Sequence, residues 1–312
     1  MINRRIDREH GGFTLIELLV VIAIISMLVM IMASSLGKVM KSGKALKQKS
    51  VLHALEVGLE FFHDENDGYP QSKVESSDGK GASPLICGAQ HLAEALLGRD
   101  QRGFDPVSKW YAPKQDPAVK EYQTDPTSLN RRKKMYVELK DSAVVLLENL
   151  YDSYSGNVYS SDGTGKILAP VITDIFRQRQ ITLPSGQKYY VGNPILYYKA
   201  NEASRDFEWD PLPAKESRLI YNYEDNAALI QLGPVKDPAN TKHLFDPAEP
   251  YTYTDPQGAA KTGTGKQRFY NTITDHSMRT FRKPFNPQSF ILISAGYDGI
   301  FGTKDDVTNF NY

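Results

Sequence analysis

The stretch that most limits what this chain can become lies near its start. Gly12 to Ser35 reads GFTLIELLVVIAIISMLVMIMASS, and from Phe13 to Ser35 its only charged side chain is Glu17. At about 1.5 Å of rise per residue, a helix over this run matches the thickness of a bilayer core. A carboxylate near the head of such a segment is costly and marks a functional position. A short polar leader carries Arg4, Arg5 and Arg8 against Asp7 and Glu9. A basic stretch before an apolar run has the look of a secretory signal, but three details oppose that reading. The apolar run exceeds the roughly 7–15 residues of a signal core. The small residues, Gly11 and Gly12, precede it. No A-x-A-like site follows Ser35. A plain membrane anchor fits the length but gives no reason for Glu17.

Composition narrows the rest. Across 312 residues, 37 basic and 37 acidic side chains balance, so no global field attracts nucleic acid. The one cysteine, Cys87, excludes an intrachain disulfide and a multi-cysteine zinc site. Its apolar neighbours, Leu85 to Ala89, make it a small core residue.

Gly12-Phe13-Thr14-Leu15-Ile16-Glu17 resembles the signal of type IV prepilins and type II secretion pseudopilins. The resemblance implies that prepilin peptidase cuts between Gly12 and Phe13 and that Phe13 is N-methylated. It also makes Glu17 the filament-assembly residue. Elementary chemistry fits these roles. Phe13 and Glu17 are four apart and share a helix face. A carboxylate buried in a greasy filament needs a partner, and a neighbour's new N-terminal amine is one. Ser26 and Ser34 stand where many members of the family have glycine and proline, so no proline-driven helix break is expected at Ser34.

The helix has no sequence reason to stop at the membrane. No proline occurs before Pro70; Lys38, Lys41, Lys44 and Lys47 form a basic stripe, read as a solvated face or a contact to lipid head groups. Leu52, Leu55, Leu59 and Phe62 recur at spacings of three and four, the signature of a helix packed on a domain. The spacing predicts one helix from about Phe13 to about His63, apolar all round in its first half and amphipathic in its second. Both flanks of the apolar run are basic, so charge leaves its orientation open. The resemblance places the leader in the cytoplasm and the head in the periplasm.

Asp64-Glu65-Asn66-Asp67-Gly68-Tyr69-Pro70 ends the helix with turn chemistry and is similar to the turn that follows the stem in major pseudopilins. Gly79 and Gly81 predict a loop. Ala89 to Leu97 predicts a short helix stopped by Gly98, with His91 and Glu94 forming a surface pair. Asp-Pro steps begin at Asp105, Asp116, Asp125, Asp210, Asp237, Asp246 and Asp255, each favouring a turn. Arg131-Arg132-Lys133-Lys134 reads as a solvated face, with no aromatic nucleic-acid motif beside it. Val137 to Leu150 is ambiguous between strand and helix. Gln180 to Ala200 predicts a hairpin about Pro184-Ser185-Gly186, with Ile195 to Tyr198 as its second edge or a further strand. Tyr221 to Ile230 predicts a helix or turn.

At the far end an apolar strand, Phe290 to Ser294, leads into a glycine-rich loop bearing Asp298, Asp305 and Asp306. Converging carboxylates need something to offset their repulsion, and Ca²⁺ takes 6–8 oxygen ligands. The spacing is not that of an EF-hand. It resembles the calcium-binding end of type II secretion major pseudopilins. That resemblance makes Asp298, Asp305 and Asp306 the side-chain ligands of a structural Ca²⁺, with backbone oxygens near Ala295 and Thr303 completing the shell.

No H-E-x-x-H, G-x-S-x-G or C-x-x-C occurs, and Gly-Thr-Gly-Lys at 263–266 lacks the rest of a P-loop. The expectation is a non-enzymatic α+β protein of pilin-like build. A leader over 1–12 precedes a stem helix over 13–64, whose 13–35 half spans the membrane. An enlarged, loop-rich head over 65–312 packs a small antiparallel sheet on the stem and carries the calcium loop at 294–310. The implied function is a type II secretion pseudopilin: single-pass in the inner membrane, then extracted into a periplasmic filament. Its implied partners are other copies of itself, minor pseudopilins, prepilin peptidase and the inner-membrane assembly platform. The alternatives are a type IV pilus subunit for adhesion, motility or DNA uptake, and a membrane-anchored binding or enzymatic module that borrows the signal for delivery.

Overall fold

The computed structural model describes residues 12–76, 84–109, 120–121, 127–139, 143–151, 157–160, 168–183, 185–204, 219–254, 258–277 and 283–310, without the side chains of 33–35, 108–109 and 120–121. The leader up to Gly11, the loop about Gly79 and Gly81, and the Asp-Pro steps at 116, 125, 210 and 255 lie outside them. The chain forms two compact units, one up to Lys44 and one from Ala45.

Helix α1 runs over Leu15–Asn66, 52 residues without a break, and its backbone stays helical through Ser34, where there is no proline to break it. In the first unit its large apolar side chains are exposed all round, from Phe13 at 82% to Met32 at 71%. It is long and apolar enough to cross a membrane. The Ser26 hydroxyl donates to the Ile22 carbonyl at 2.7 Å, so this polar group is satisfied inside its own helix.

The second unit follows in chain order. The two-residue strands β1 (Glu75–Ser76) and β2 (Leu85–Ile86) pair antiparallel, and α2 spans Gly88–Leu97. β3 (Ser108–Lys109) and β4 (Lys120–Glu121) pair parallel, before the single turn α3 (Ser128–Arg131). The ambiguous stretch resolves into both states. β5 (Val144–Leu146) runs straight into α4 (Leu147–Leu150), and β5 pairs with β6 (Pro170–Ile172). β7 (Arg179–Thr182) and β8 (Lys188–Val191) make the expected hairpin, and β9 (Leu196–Lys199) is a separate strand. α5 (Glu224–Ile230) precedes the hairpin β10 (Pro250–Thr254)–β11 (Ala260–Thr264). Next come α6 (Gly265–Thr272) and the pair β12 (Thr274–Asp275)–β13 (Lys283–Pro284). β14 (Phe290–Ser294) and β15 (Val307–Thr308) close the chain in a three-stranded antiparallel sheet of order β15-β14-β9.

That sheet explains why its strands read as continuous apolar runs. Tyr197, Phe290, Leu292 and Val307 pack on one side with Leu52, Leu55 and Leu59 of α1 and Leu92 and Leu96 of α2. Leu196, Tyr198, Ile291 and Ile293 face a second core with Tyr223, Phe245, Phe269 and Phe301. Both faces are covered, so alternation disappears and every position in β14 is buried. The enlarged head supplies the second layer. Gly58 lets α1 sit close: a Cβ there would stand 3.1 Å from Leu96 Cδ2 and 3.2 Å from the Tyr136 carbonyl.

Three local details refine the sequence reading. Cys87 is fully buried, and burial pushes its thiol up to about 12, so it is core. The Gly-Thr-Gly-Lys stretch is the end of β11 and the start of α6. There Gln267 Oε1 accepts from Thr264 N at 2.6 Å, in a capping box that uses the residue a P-loop would replace with Ser or Thr. The run 131–134 is only partly a solvated face. Arg131 pairs with buried Asp105, the first residue of an Asp-Pro step, at 3.0 Å, and Arg132 pairs with Asp100 at 2.7 Å.

Candidate functional site

The signal and the acidic loop lie in different units, and each has its own geometry. At the start of α1, Thr14 is the N-cap and Glu17 its capping-box partner. Glu17 Oε2 accepts from Thr14 N at 2.8 Å and from Thr14 Oγ1 at 2.7 Å, while Glu17 N donates back to Thr14 Oγ1 at 3.3 Å. This orients the carboxylate toward the helix start, where the macrodipole also favours it. Both bonds end on Oε2, so Oε1 takes no part in the cap. The T-x-x-E spacing that encodes the cap is visible in the sequence, and Thr14 is a site residue that the family resemblance does not point to. Phe13 and Glu17 are both exposed.

In the second unit, the loop between β14 and β15 ties its three aspartates down by hydrogen bonds within the loop. Asp298 Oδ1 accepts from Ile300 N at 2.8 Å. Asp305 Oδ2 accepts from Asp298 N at 2.9 Å, and its Oδ1 from Thr303 Oγ1 at 2.5 Å. Asp306 Oδ2 accepts from Gly302 N at 2.8 Å. Asp306 Oδ1 is enclosed and has no hydrogen-bond partner. Gly296 makes the fold possible. Its φ is +68°, and a Cβ would stand 2.1 Å from the Asp305 carbonyl oxygen.

The electrostatics follow from that crowding. Burial pushes the Asp306 carboxyl well up, and the neighbouring Asp298 and Asp305 charges add to the push. Asp298 is raised as well, first by burial. Asp305 is the exception: burial opposes its charge, but the Thr303 hydroxyl and the Asp298 amide hold its carboxyl below the usual range. Among the described residues no three His, Cys, Asp or Glu side chains stand close enough to hold a metal ion by themselves. An ion in this loop would therefore need backbone carbonyls as well as carboxylates. The donor set is all oxygen, and the orphaned Asp306 Oδ1 suits a hard cation such as Ca²⁺.

Residues the sequence did not single out hold the loop in place. His243 is buried, its Nδ1 accepts from Phe301 N at 3.0 Å, and burial drives it down to about 3, so the ring is neutral. Asn309 joins three elements. Its Oδ1 accepts from Leu292 N at 2.8 Å and its Nδ2 donates to Glu56 Oε1 of α1 at 3.0 Å. Ser294, the last residue of β14, donates to the buried Asp174 carboxylate at 3.1 Å. His243 has no local sequence signal, because its partner lies 58 residues away.

The pair expected at the surface, His91 and Glu94, is buried instead, at 3% and 12% side-chain exposure. Helix α2 is covered on nearly every side by α1, α5 and the sheets, so a face that reads as polar in isolation has no water to meet.

Comparison with known proteins matches residues 7–33 to the family model described as the prokaryotic N-terminal methylation motif. No curated protein and no solved structure matches the chain. The N-terminus thus carries a type IV pilin-like methylation signal, of the kind prepilin peptidase processes, at the head of a helix able to enter a membrane.

Proposed function

We propose that the chain is the precursor of a structural, non-catalytic filament subunit of type II secretion. Prepilin peptidase cuts it between Gly12 and Phe13 and methylates Phe13. It then waits in the inner membrane with its head in the periplasm, and the assembly platform extracts it to join other copies and minor pseudopilins. The observation that carries this reading is the methylation motif on a segment whose one charge, Glu17, stands a helical turn from Phe13.

The capping geometry suggests how the pairing works. Cleavage exposes an ammonium at Phe13. Glu17 Oε2 stays tied to Thr14, which orients the carboxylate, and Oε1 is turned to the ammonium of a neighbouring subunit. Within an apolar stem bundle neither charge is tolerable alone, so each stem requires the next in register. In the head, Asp298, Asp305 and Asp306, with backbone oxygens of Ala295 and Thr303, would hold a structural Ca²⁺. That ion supplies charge neutralisation and no catalytic chemistry. The acidic loop favours secretion over a pilus role.

The test is co-expression with prepilin peptidase and a secretion assembly platform. Mass spectrometry of the product is expected to begin at methylated Phe13. Glu17→Ala is expected to be processed normally yet be lost from sheared or cross-linked filaments. If Glu17→Ala enters filaments as well as the parent, the pairing mechanism fails. Rescue of piliation, and not of export, in strains lacking either major subunit would assign the chain to a pilus.

A further inference from the structure

The chain's charges balance overall, but its stem is one-sided. Between Glu17 and Glu56 the sequence holds five lysines, at 38, 41, 44, 47 and 49, and no Asp or Glu. The helix is continuous there, so the positions of these lysines around its axis are fixed. At about 100° per residue, Lys38, Lys41 and Lys44 fall within an arc of about 120°. Leu36, Val39 and Met40 fall on the opposite side, and each is more than half exposed. Lys38 and Lys41 are exposed and Lys44 partly so. The turns that follow the apolar run are therefore two-faced, basic on one side and apolar on the other.

Their distance from the span narrows what can cover them. At about 1.5 Å per residue, the three lysines stand about 5, 9 and 14 Å past Ser35. A head-group layer is about 5–8 Å deep on each side of the acyl core. Helical side chains lean toward the helix start, here back toward the span, and a lysine stem can lie along apolar surface while its ammonium reaches a polar layer. The bilayer thus meets both faces at once: acyl chains cover Leu36, Val39 and Met40, and phosphates meet the lysines. A soluble polyanion would leave the apolar face in water. A second stem in register would bring the same lysines, with no carboxylate over this stretch to neutralise them.

We infer that residues 36–44 of α1 form a binding face for anionic phospholipid, with Lys38, Lys41 and Lys44 on the phosphates and Leu36, Val39 and Met40 at the acyl boundary. The inference rests on the membrane-resident stage of the proposed function. It gives the waiting subunit a fixed depth, because sinking would carry the lysines into the acyl core and rising would take them off the phosphates.

The test reconstitutes the full chain in phosphatidylcholine vesicles carrying trace spin-labelled phosphatidylglycerol or phosphatidylcholine. Electron paramagnetic resonance then reads the share of each label held against the protein. The anionic label is expected to be preferred about threefold or more, and about 1 M salt, with its screening length of about 3 Å, is expected to abolish the preference. Lys38→Gln, Lys41→Gln and Lys44→Gln together are expected to remove it. Lys47→Gln with Lys49→Gln, about 18 Å or more past Ser35, is expected to spare it. Equal affinity for the two labels in an inserted chain overturns this proposal alone. A chain washed from the vesicles by alkaline carbonate overturns the membrane-resident reading as well. A preference lost equally in both sets of variants, or displaced by free glycerol phosphate, removes the face from the lipid. So does efficient disulfide cross-linking of Val39→Cys between copies at low protein density, since a second copy would then cover the apolar side.

Discussion

Asp174 lies under the acidic loop, 4% exposed, without a cation among its described contacts. Phe176 N donates to its Oδ1 at 3.1 Å and Ser294 Oγ to its Oδ2 at 3.1 Å. These bonds do not offset the loss of water, and burial lifts the carboxyl from 3.8 to about 7. The folded state therefore binds the proton more tightly than the unfolded chain. The resulting stabilisation is complete below the unfolded value and is lost as pH rises through the folded one. The full difference corresponds to about 4 kcal/mol at about 1.4 kcal/mol per unit, of which roughly 2–3 kcal/mol disappears between about pH 5 and 8. Asp174→Asn keeps an acceptor for Phe176 N and leaves Ser294 free to reverse its hydroxyl, but it cannot ionise. Urea unfolding of parent and variant across this pH range, at constant calcium, isolates the residue. Asp225 is also raised by burial, to about 6, and cancels in the comparison. The variant is expected to gain on the parent by about 2–3 kcal/mol from pH 5 to 8. A gap that stays constant with pH would refute the argument that Asp174 is buried protonated.

Two further outcomes test the head. Leu55→Ala removes a fully buried side chain where α1 meets α2 and the sheet, and is expected to cost about 2–5 kcal/mol in urea unfolding; a cost under about 1 kcal/mol would mean that the stem is not seated on the head in this way. Calcium at about a hundred times its dissociation constant is expected to stabilise the head by about 2.7 kcal/mol and raise its melt. Chelator is expected to reverse this, and Asp306→Asn to blunt it; a melt indifferent to calcium and chelator would remove the ion from the loop.

Much of the architecture is local and was therefore readable. The apolar run, the absence of proline before Pro70 and the three-four spacing from Leu52 to Phe62 all act within a few residues, and together they require one long helix. β14 and the β7–β8 hairpin are local in the same sense. The Asp-Pro steps at 105 and 246 also behave as their chemistry dictates: Val107 N and Ala248 N each close onto the aspartate two residues before them, at 3.1 and 2.8 Å. The T-x-x-E cap is local in the same way, since Thr14 and Glu17 stand three residues apart.

The sites are a different matter, because their decisive contacts span the chain. Asn309 reaches Glu56 across 253 residues and Ser294 reaches Asp174 across 120. Spacing within a segment carries no information about such partners. Burial is likewise a property of the packed whole. His91 and Glu94 look like a surface pair until α1, α5 and two sheets close over α2. The opening stretch by itself determined a membrane-length stem with one charge in need of a partner, because bilayer thickness and helix rise leave little choice. Only the tertiary structure decided which carboxylates are solvated and which are held protonated, because desolvation depends on neighbours that the order of residues does not name.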